Sequence, residues 1–600
     1  MTAALARNPD RTKSASTQFL RPLFNTYQRI AYIALASIWL AALIYFWSWW
    51  LRPEHINGIG AYIVVSLVLA WITLLPLYFV GIFYFAKIPA ARSLPNSAKV
   101  AMVVTKAPSE PLSIVQRTLQ AAISQDYPHD TWLADEAPTH ETLAWCKENG
   151  VRVSTRQGCD DYQRDLWPRR KRCKEGNLAY FYDHHGYNKY DFVVQLDADH
   201  VPAPGYLKQI LAPFADPAVG YVSAPSICDN NAAESWSARG RLYVEGMLHG
   251  ALQAGYNSGW APLCIGSHYA VRTAALKEIG GLGPELAEDH STTLFMNAHG
   301  WRGVHALDAI AHGDGPKTFA DLVTQEFQWS RSLMAILLKY TPGLFANLTA
   351  RLQFQFAFAQ LWYPLFALFI LIIFLLPISA LAIKEPLVGV TFFDFLAHYL
   401  PQTALLILFI AFLHSQGWAR PVNSRTISWE GIIFLFARWP WALAGVVAAI
   451  RDHFTGSYVE FRVTPKGDGP ADLLPMRVFA PYAFLAICSA APVILIDDAR
   501  SASGFYFFAA FNAVLYSIVA LTILVRHLYE NRIRLTGQTN RLAAQVFVAL
   551  FAVSVSAVAI AARTPVALQS LEYGAERIQL TRVVYGISGA GNSHETYSRI

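Results

Sequence analysis

The chain has 600 residues, of which 54% are hydrophobic and 15% charged, and its mean hydropathy of +0.28 exceeds that of an ordinary soluble domain. Its net charge of +6 is mild and its basic residues are dispersed, which argues against nucleic acid as a partner. Six cysteines form no CxxC pair, so reduced thiols are expected rather than a disulfide scaffold or a structural metal.

Arg7, Arg11, Lys13, Arg21 and Arg29 precede or flank a first uncharged apolar run at 31–50, and a second follows at 60–86. Each is near the roughly 20 residues that a helix needs to cross a bilayer. The first run is too long for a signal-peptide core and no small-residue cleavage site follows it, so it is expected to stay attached. Basic residues favour the cytoplasmic side, and two spans return the chain to it. Residues 1–87 thus read as a cytoplasmic N-terminus with two transmembrane helices, and the lipid bilayer is a partner.

From 88 to 345 the composition becomes that of a soluble domain. Short strand-like runs at 99–105, 131–135, 151–155, 191–197 and 220–224 alternate with helical patterns such as 112–124. This order predicts an α/β domain with a mainly parallel sheet. Ligands of such sheets gather beyond the carboxyl ends of the strands, where Asp135 and Asp197 fall.

The run "VVQLDADHVP" ends a buried strand in Asp197 and Asp199, with His200 next. Paired carboxylates there suit a hard divalent cation shared with a diphosphate, although an Asp-x-Asp triplet also arises by chance. In "RCKEGNLAY", Lys174 and a glycine open a helix, a place either to hold phosphate oxygens or to be solvated. Glu288 and Asp289 in "ELAEDHSTTLF" precede a helical run, where a carboxylate is a helix cap or a general base. In "QEFQWSRSLM", Gln325, Gln328, Trp329 and Ser332 share one helical face. A tryptophan among amides reads as a sugar-stacking surface or as an interfacial membrane anchor.

Two further apolar runs, 361–383 and 395–413, make residues 346–414 a pair of transmembrane helices. A run at 431–450 carries Arg438 and Pro440 at its centre. Placing it in the interface keeps the loop with Arg526, Arg532, Arg534 and Arg541 cytoplasmic, so 415–476 reads as an interfacial helix followed by a loop. Runs at 478–496, 504–525 and 542–562 make 477–562 three transmembrane helices, which brings the spans to seven, and 563–600 forms a tail on the far side.

Taken in order, Asp135, the Asp-Ala-Asp at 197–199, Glu288-Asp289 and "QEFQW" at 325–329 resemble the motifs of family 2 glycosyltransferases of the processive polysaccharide-synthase type, such as cellulose synthase. The segment "VEFRVTPKG" at 459–467 resembles the FxVT gating loop of bacterial cellulose synthases, here Phe461, Val463 and Thr464. The likeness covers residues 100–467 and the pattern of spans.

The resemblance implies a Rossmann-like GT-A domain on the cytoplasmic face of the cell membrane, inserted in an α-helical multi-span membrane domain. It implies a UDP-sugar donor, UDP-glucose first, and Mg²⁺ or Mn²⁺. Asp135 would lie beside the nucleotide, Lys174 and Asp197 at the diphosphate, and Asp197 and Asp199 at the metal. Asp289 would be the base, with Gly266, Ser267, Gln325, Gln328 and Trp329 at the polysaccharide acceptor. Periplasmic or accessory subunits are further partners such a synthase can have. The chain departs from the pattern where the usual QxxRW arginine is Gln328, with Arg331 three residues on as a candidate contact to the diphosphate. Glu136 follows Asp135 where an aspartate pair is usual, and Ala287 replaces a threonine.

The activity expected is inverting transfer onto a growing β-linked polysaccharide coupled to its passage through the membrane. A single-addition transferase acting on a lipid acceptor would share the aspartates. A transporter with a nucleotide-sensing domain is disfavoured, because the seven runs contain no Asp, Glu, Lys or Arg. Residues 563–600 are too few for the cyclic-di-GMP-binding barrel of many bacterial cellulose synthases, so none is expected in this chain.

Overall fold

The computed structural model describes residues 19–90, 98–456, 472–533 and 539–572. The expected gating-loop residues Phe461, Val463 and Thr464 lie outside the described residues, as does 573–600. Two apolar helices, Thr26–Trp50 and Ile59–Tyr84, come first, and an antiparallel pair, Leu20–Pro22 with Lys87–Pro89, ties their free ends together. The expected Rossmann-like α/β domain follows, inserted among long apolar helices.

Its sheet has seven strands: β1 (Val100–Lys106), β2 (Asp130–Asp135), β3 (Arg152–Ser154), β4 (Phe192–Leu196), β5 (Val219–Ser223), β6 (His268–Arg272) and β7 (Arg302–His305), in the order β7-β5-β6-β4-β1-β2-β3. Strands β1 and β4 are buried throughout, which explains why they read as unbroken apolar runs. Alternate residues serve opposite faces: Met102, Val104 and Val194 pack in one core with Val115 and Leu119, while Ala101, Val103 and Val193 pack in another with Leu178 and Phe181.

The sheet is mixed rather than simply parallel. Strand β6 runs antiparallel to both β4 and β5, with His268 opposite Leu196. No pattern in the sequence marks it as a strand, because five residues beginning with a histidine owe their extended form to neighbours far away in the chain. That inserted strand delivers Gly266 and Ser267 to the carboxyl end of β4.

Four helices of the domain matter for the site: α1 (Lys174–Phe181), α2 (Trp236–Met247), α3 (Glu288–Ala298) and α4 (Phe319–Lys339). Helix α4 opens with a capping box made by Thr318 and Asp321. Beyond it come α5 (Ala350–Ile383), Phe392–Ser415, α6 (Trp429–Thr455), Met476–Leu495, Phe505–Glu530 and Thr539–Glu572. With the two N-terminal helices, eight among the described residues, α6 included, are long and apolar enough to cross a membrane.

The connections between these helices gather at two ends. At one end Asn57 Nδ2 donates to Pro386 O at 2.7 Å and the Gly389 N–H donates to His55 O at 2.9 Å. At the other, next to the α/β domain, Arg420 Nε donates to Leu307 O at 3.2 Å and the Trp236 N–H donates to Glu530 at 3.1 Å. His527 Nε2 meets Asp472 O there at 2.8 Å. Helix α6 lies along α4, with Ile433, Phe434 and Ala437 in one core with Phe319, Leu322 and Val323. Gly445 permits the close approach, since a Cβ there would collide with Phe327 O and Ser330 Oγ. Along its length α6 is paired to the domain through Glu430 with Arg239 Nε (2.9 Å), Arg438 Nε with Glu326 (2.8 Å) and Asp452 with Arg331 Nε (2.8 Å).

Candidate active site

Strand β4 ends at Leu196, and the next residue, Asp197, donates its N–H to Ser267 O at 2.8 Å, so β4 and the β6 loop present one edge. Lys174, first residue of α1, reaches this edge. Its Nζ donates to Asp197 Oδ1 at 2.7 Å and also to Gly266 O. Helix α1 is held for the task by Asn177, whose Nδ2 donates to Ala134 O at 2.8 Å near the end of β2. Asp289 closes the group from α3: a Cβ on Gly266 would lie 3.1 Å from its Oδ2, so glycine is what lets the two approach.

One ammonium therefore faces Asp197, Glu288 and Asp289. Burial alone would make Lys174 less basic, but Asp197 and Glu288 hold it protonated above its usual range. Burial raises both Glu288 and Asp289 above ordinary carboxyl values, and Asp289 adds to the rise at Glu288. Asp289 Oδ1 accepts the His290 N–H at 2.7 Å, whereas Glu288 Oε1 and Ser267 Oγ are buried without a hydrogen-bond partner among the described residues. The motif is steadied from α4, where Ser332 Oγ accepts the Ala287 N–H at 2.9 Å.

Asp199 is buried; its Oδ2 accepts the Asp314 N–H at 3.0 Å and its Oδ1 lies 3.4 Å from His200 Nδ1. Asp197, Asp199 and His200 each offer a ligand atom, all within 4.8 Å of one another. Two carboxylates and an imidazole so close together fit a divalent cation. His200 was not among the sequence candidates, although it directly follows the triplet.

Asp135, at the end of β2, is fully buried and pairs with Lys106 of β1 at 3.2 Å. Because β1 separates β2 from β4, Asp135 stands two strands, about 10 Å, to one side of Asp197. It forms the flank of the site rather than its centre. The neighbouring Glu136 pairs with the fully buried Arg156 at 2.6 Å. Arg156 also donates to Tyr162 O at 2.8 Å and Arg170 O at 2.6 Å, and so folds the charged loop 158–174 against the sheet and delivers Lys174. Arg156→Met would strand Glu136 and these carbonyls, and is expected to lower stability by about 3–5 kcal/mol. Thermal unfolding of the purified protein checks this; an unchanged midpoint would refute it.

Two of the acceptor candidates on α4, Gln325 and Trp329, face neighbouring helices. Trp329 packs on the cluster of Tyr363, Ala367, Ala442 and Val446, and the Arg241 guanidinium lies 4.5 Å from its ring centroid. Gln325 Oε1 accepts from Arg241 Nη1 at 3.1 Å, and Gln328 is buried. Arg331 is engaged by Asp452 of α6, and a different arginine, Arg241 of α2, stands against Gln325 and Trp329. Lys106, Arg156 and Arg241 carry no motif, and nothing in the sequence singles them out.

Residues 192–414 match the family described as "Glycosyl transferase family group 2". The chain is 24% identical over 325 residues to "Cellulose synthase 2" of Novacetimonas hansenii, covering 53% of this chain and 19% of the relative. It is 27% identical over 266 residues to the cellulose synthase catalytic subunit (UDP-forming) of Xanthomonas axonopodis pv. citri, covering 42% and 34%. It thus spans between about a fifth and a third of the length of these curated relatives. Among solved structures, a mannosyltransferase from Pyrobaculum calidifontis in complex with GDP-Man and Mn²⁺ aligns with a TM-score of 0.38 at 16% identity, over 71% of this chain and 99% of that one. The glucosyl-3-phosphoglycerate synthase of Mycobacterium tuberculosis with Mn²⁺, UDP and glucosyl-3-phosphoglycerate aligns at 0.28 and 15% identity, over 40% and 80%. The family match and the curated relatives support the resemblance to cellulose synthases that the motifs carry.

Proposed function

We propose that this protein is a membrane glycosyltransferase that moves a sugar, with inversion, from a UDP-sugar to a growing β-linked polysaccharide, UDP-glucose being the first donor to test. The observation that carries the reading is the meeting of Asp197, Lys174, Gly266 and Asp289 at one sheet edge. Similarity to cellulose synthase catalytic subunits supports the choice of donor and product.

In this reading Lys174 donates to the oxygens of the leaving diphosphate. Asp197, Asp199 and His200 would hold a divalent cation, Mg²⁺ or Mn²⁺, which would supply charge neutralisation for that departure. Asp289 accepts the proton of the attacking hydroxyl from the side opposite the leaving group, and its burial makes it a stronger base than an exposed aspartate. Asp135 and Lys106 bound the nucleotide side; Gly266, Ser267, Gln325, Gln328 and Trp329 bound the acceptor side.

Seven spans and an interfacial α6 fit the grouping of the helix connections. The chain lies beside the α/β domain both before α6, at the Arg239–Glu430 pair, and after it, at Asp472. The end bearing Arg420 and Arg526 would then be cytoplasmic in a multi-pass inner-membrane protein.

The test is incubation of membranes with a panel of radiolabelled UDP-sugars and Mg²⁺ or Mn²⁺, followed by digestion of the product with linkage-specific glycosidases. Polymer from one donor supports the reading, and a single sugar on lipid overturns its processive part. A raised Asp289 proton affinity has a further consequence. The base works ionised, so transfer is expected to decline on acidification at a pH above the value of about 3.9 for an ordinary aspartate. The pH profile of kcat/KM measures this, and an acidic limb at or below that value contradicts it.

A further inference from the structure

We propose that Arg241 is a positioning residue of the acceptor platform, holding the Trp329 indole of α4 in place from α2. The inference rests on reading the site as a sugar transferase, and it concerns a residue that no motif marks.

Three contacts carry it. The Arg241 guanidinium carbon lies 4.5 Å from the Trp329 ring centroid. Its Nη1 donates to Gln325 Oε1 at 3.1 Å. Its Nε donates to Glu245, one turn further along α2, at 3.1 Å and 3.3 Å. Gln325 and Trp329 stand four residues apart on α4 and so share a face, which one planar guanidinium spans by stacking and hydrogen bonding together. A lysine ammonium has no plane with which to do both.

The other arginines near this part of α4 are engaged elsewhere: Arg331 by Asp452 and Arg438 by Glu326. Only 14% of the Arg241 side chain is exposed, so water screens its contact with the indole weakly. Trp329 also packs against the cluster formed by Tyr363 and Ala367 of α5 with Ala442 and Val446 of α6. The attitude of the indole, and with it the seat of an acceptor sugar, is thus set where α2 meets α4.

The test measures transfer from UDP-glucose to cellotetraose by the full-length protein in lipid nanodiscs. Arg241→Met, which keeps the apolar stem, is expected to raise the acceptor KM at least tenfold and leave the donor KM within twofold; Arg241→Lys should fall between it and wild type. Adding Trp329→Phe to Arg241→Met should change the acceptor KM by less than twofold more. An acceptor KM within twofold of wild type, an equal rise in donor KM, or additive effects of the two substitutions would each overturn the proposal. Should Arg241→Met not fold, the same criteria apply to Arg241→Lys, with a threefold rise in acceptor KM as the threshold. A wild-type protein that uses no nucleotide sugar overturns the functional reading and this inference with it, whereas an active wild type with an indifferent Arg241→Met overturns this inference alone.

Discussion

Asp289→Asn is expected to slow sugar transfer by roughly 10²–10⁴-fold, the usual worth of a positioned general base, while UDP-sugar binding changes by less than about threefold. The carboxylate lies at Gly266, beside the residues that hold Lys174, and the amide has almost the same shape. An asparagine can still accept the His290 N–H that Asp289 accepts at 2.7 Å, so the start of α3 should survive. What it loses is the capacity to take a proton. Initial rates with saturating donor, beside calorimetric titration with UDP, separate the two effects. Equal losses in binding and rate would make Asp289 a structural residue, and near-normal rates would shift the base to Glu288, the other buried carboxyl of the motif.

Chelation by EDTA, or Asp197→Asn, is expected to cut transfer by more than about a hundredfold, with Mn²⁺ or Mg²⁺ restoring activity after chelation but not in the variant. Asp197 has two duties. It contributes to the cluster whose ligand atoms lie within 4.8 Å, and it neutralises Lys174 at 2.7 Å. Weakening it leaves that ammonium opposite the less favourable amide and removes one oxygen suited to a hard cation. Titration of UDP with and without Mn²⁺ reads the first duty directly: the wild type should gain affinity with the ion and Asp197→Asn should not. Full metal-dependent UDP binding by the variant would remove Asp197 from the cation site.

Both predictions concern residues that were visible in the linear sequence, and the reason is local. A buried strand with both faces covered shows as an apolar run, as in "VVQL", and the polar residue that ends it must lie at the sheet edge. Asp135 and Asp197 are legible in this way, and Glu288-Asp289 by their place just before a helical run. Helices long enough to cross a membrane are equally local in origin, because their length and lack of charge answer to the lipid.

Strand β6, Lys106 and Arg241 were hidden for the opposite reason. Strand β6 is extended because β4 and β5 pair with it from 192–196 and 219–223, and no pattern within "HYAVR" records those partners. Lys106 becomes the partner of Asp135 only because β1 and β2 are neighbours in register. Arg241 meets Trp329 across a separation of 88 in sequence number.

Sequence by itself determined the kinds of element, the apolar helices and the acidic residues at strand ends, since burial and periodicity leave their mark on consecutive residues. Tertiary structure alone decided which charges share a space: Lys174 among three carboxylates, Arg156 at the root of its loop, Arg241 on Trp329 and α6 alongside α4. Electrostatic interaction depends on distance and burial in three dimensions, and neither is written in the spacing of residues along the chain.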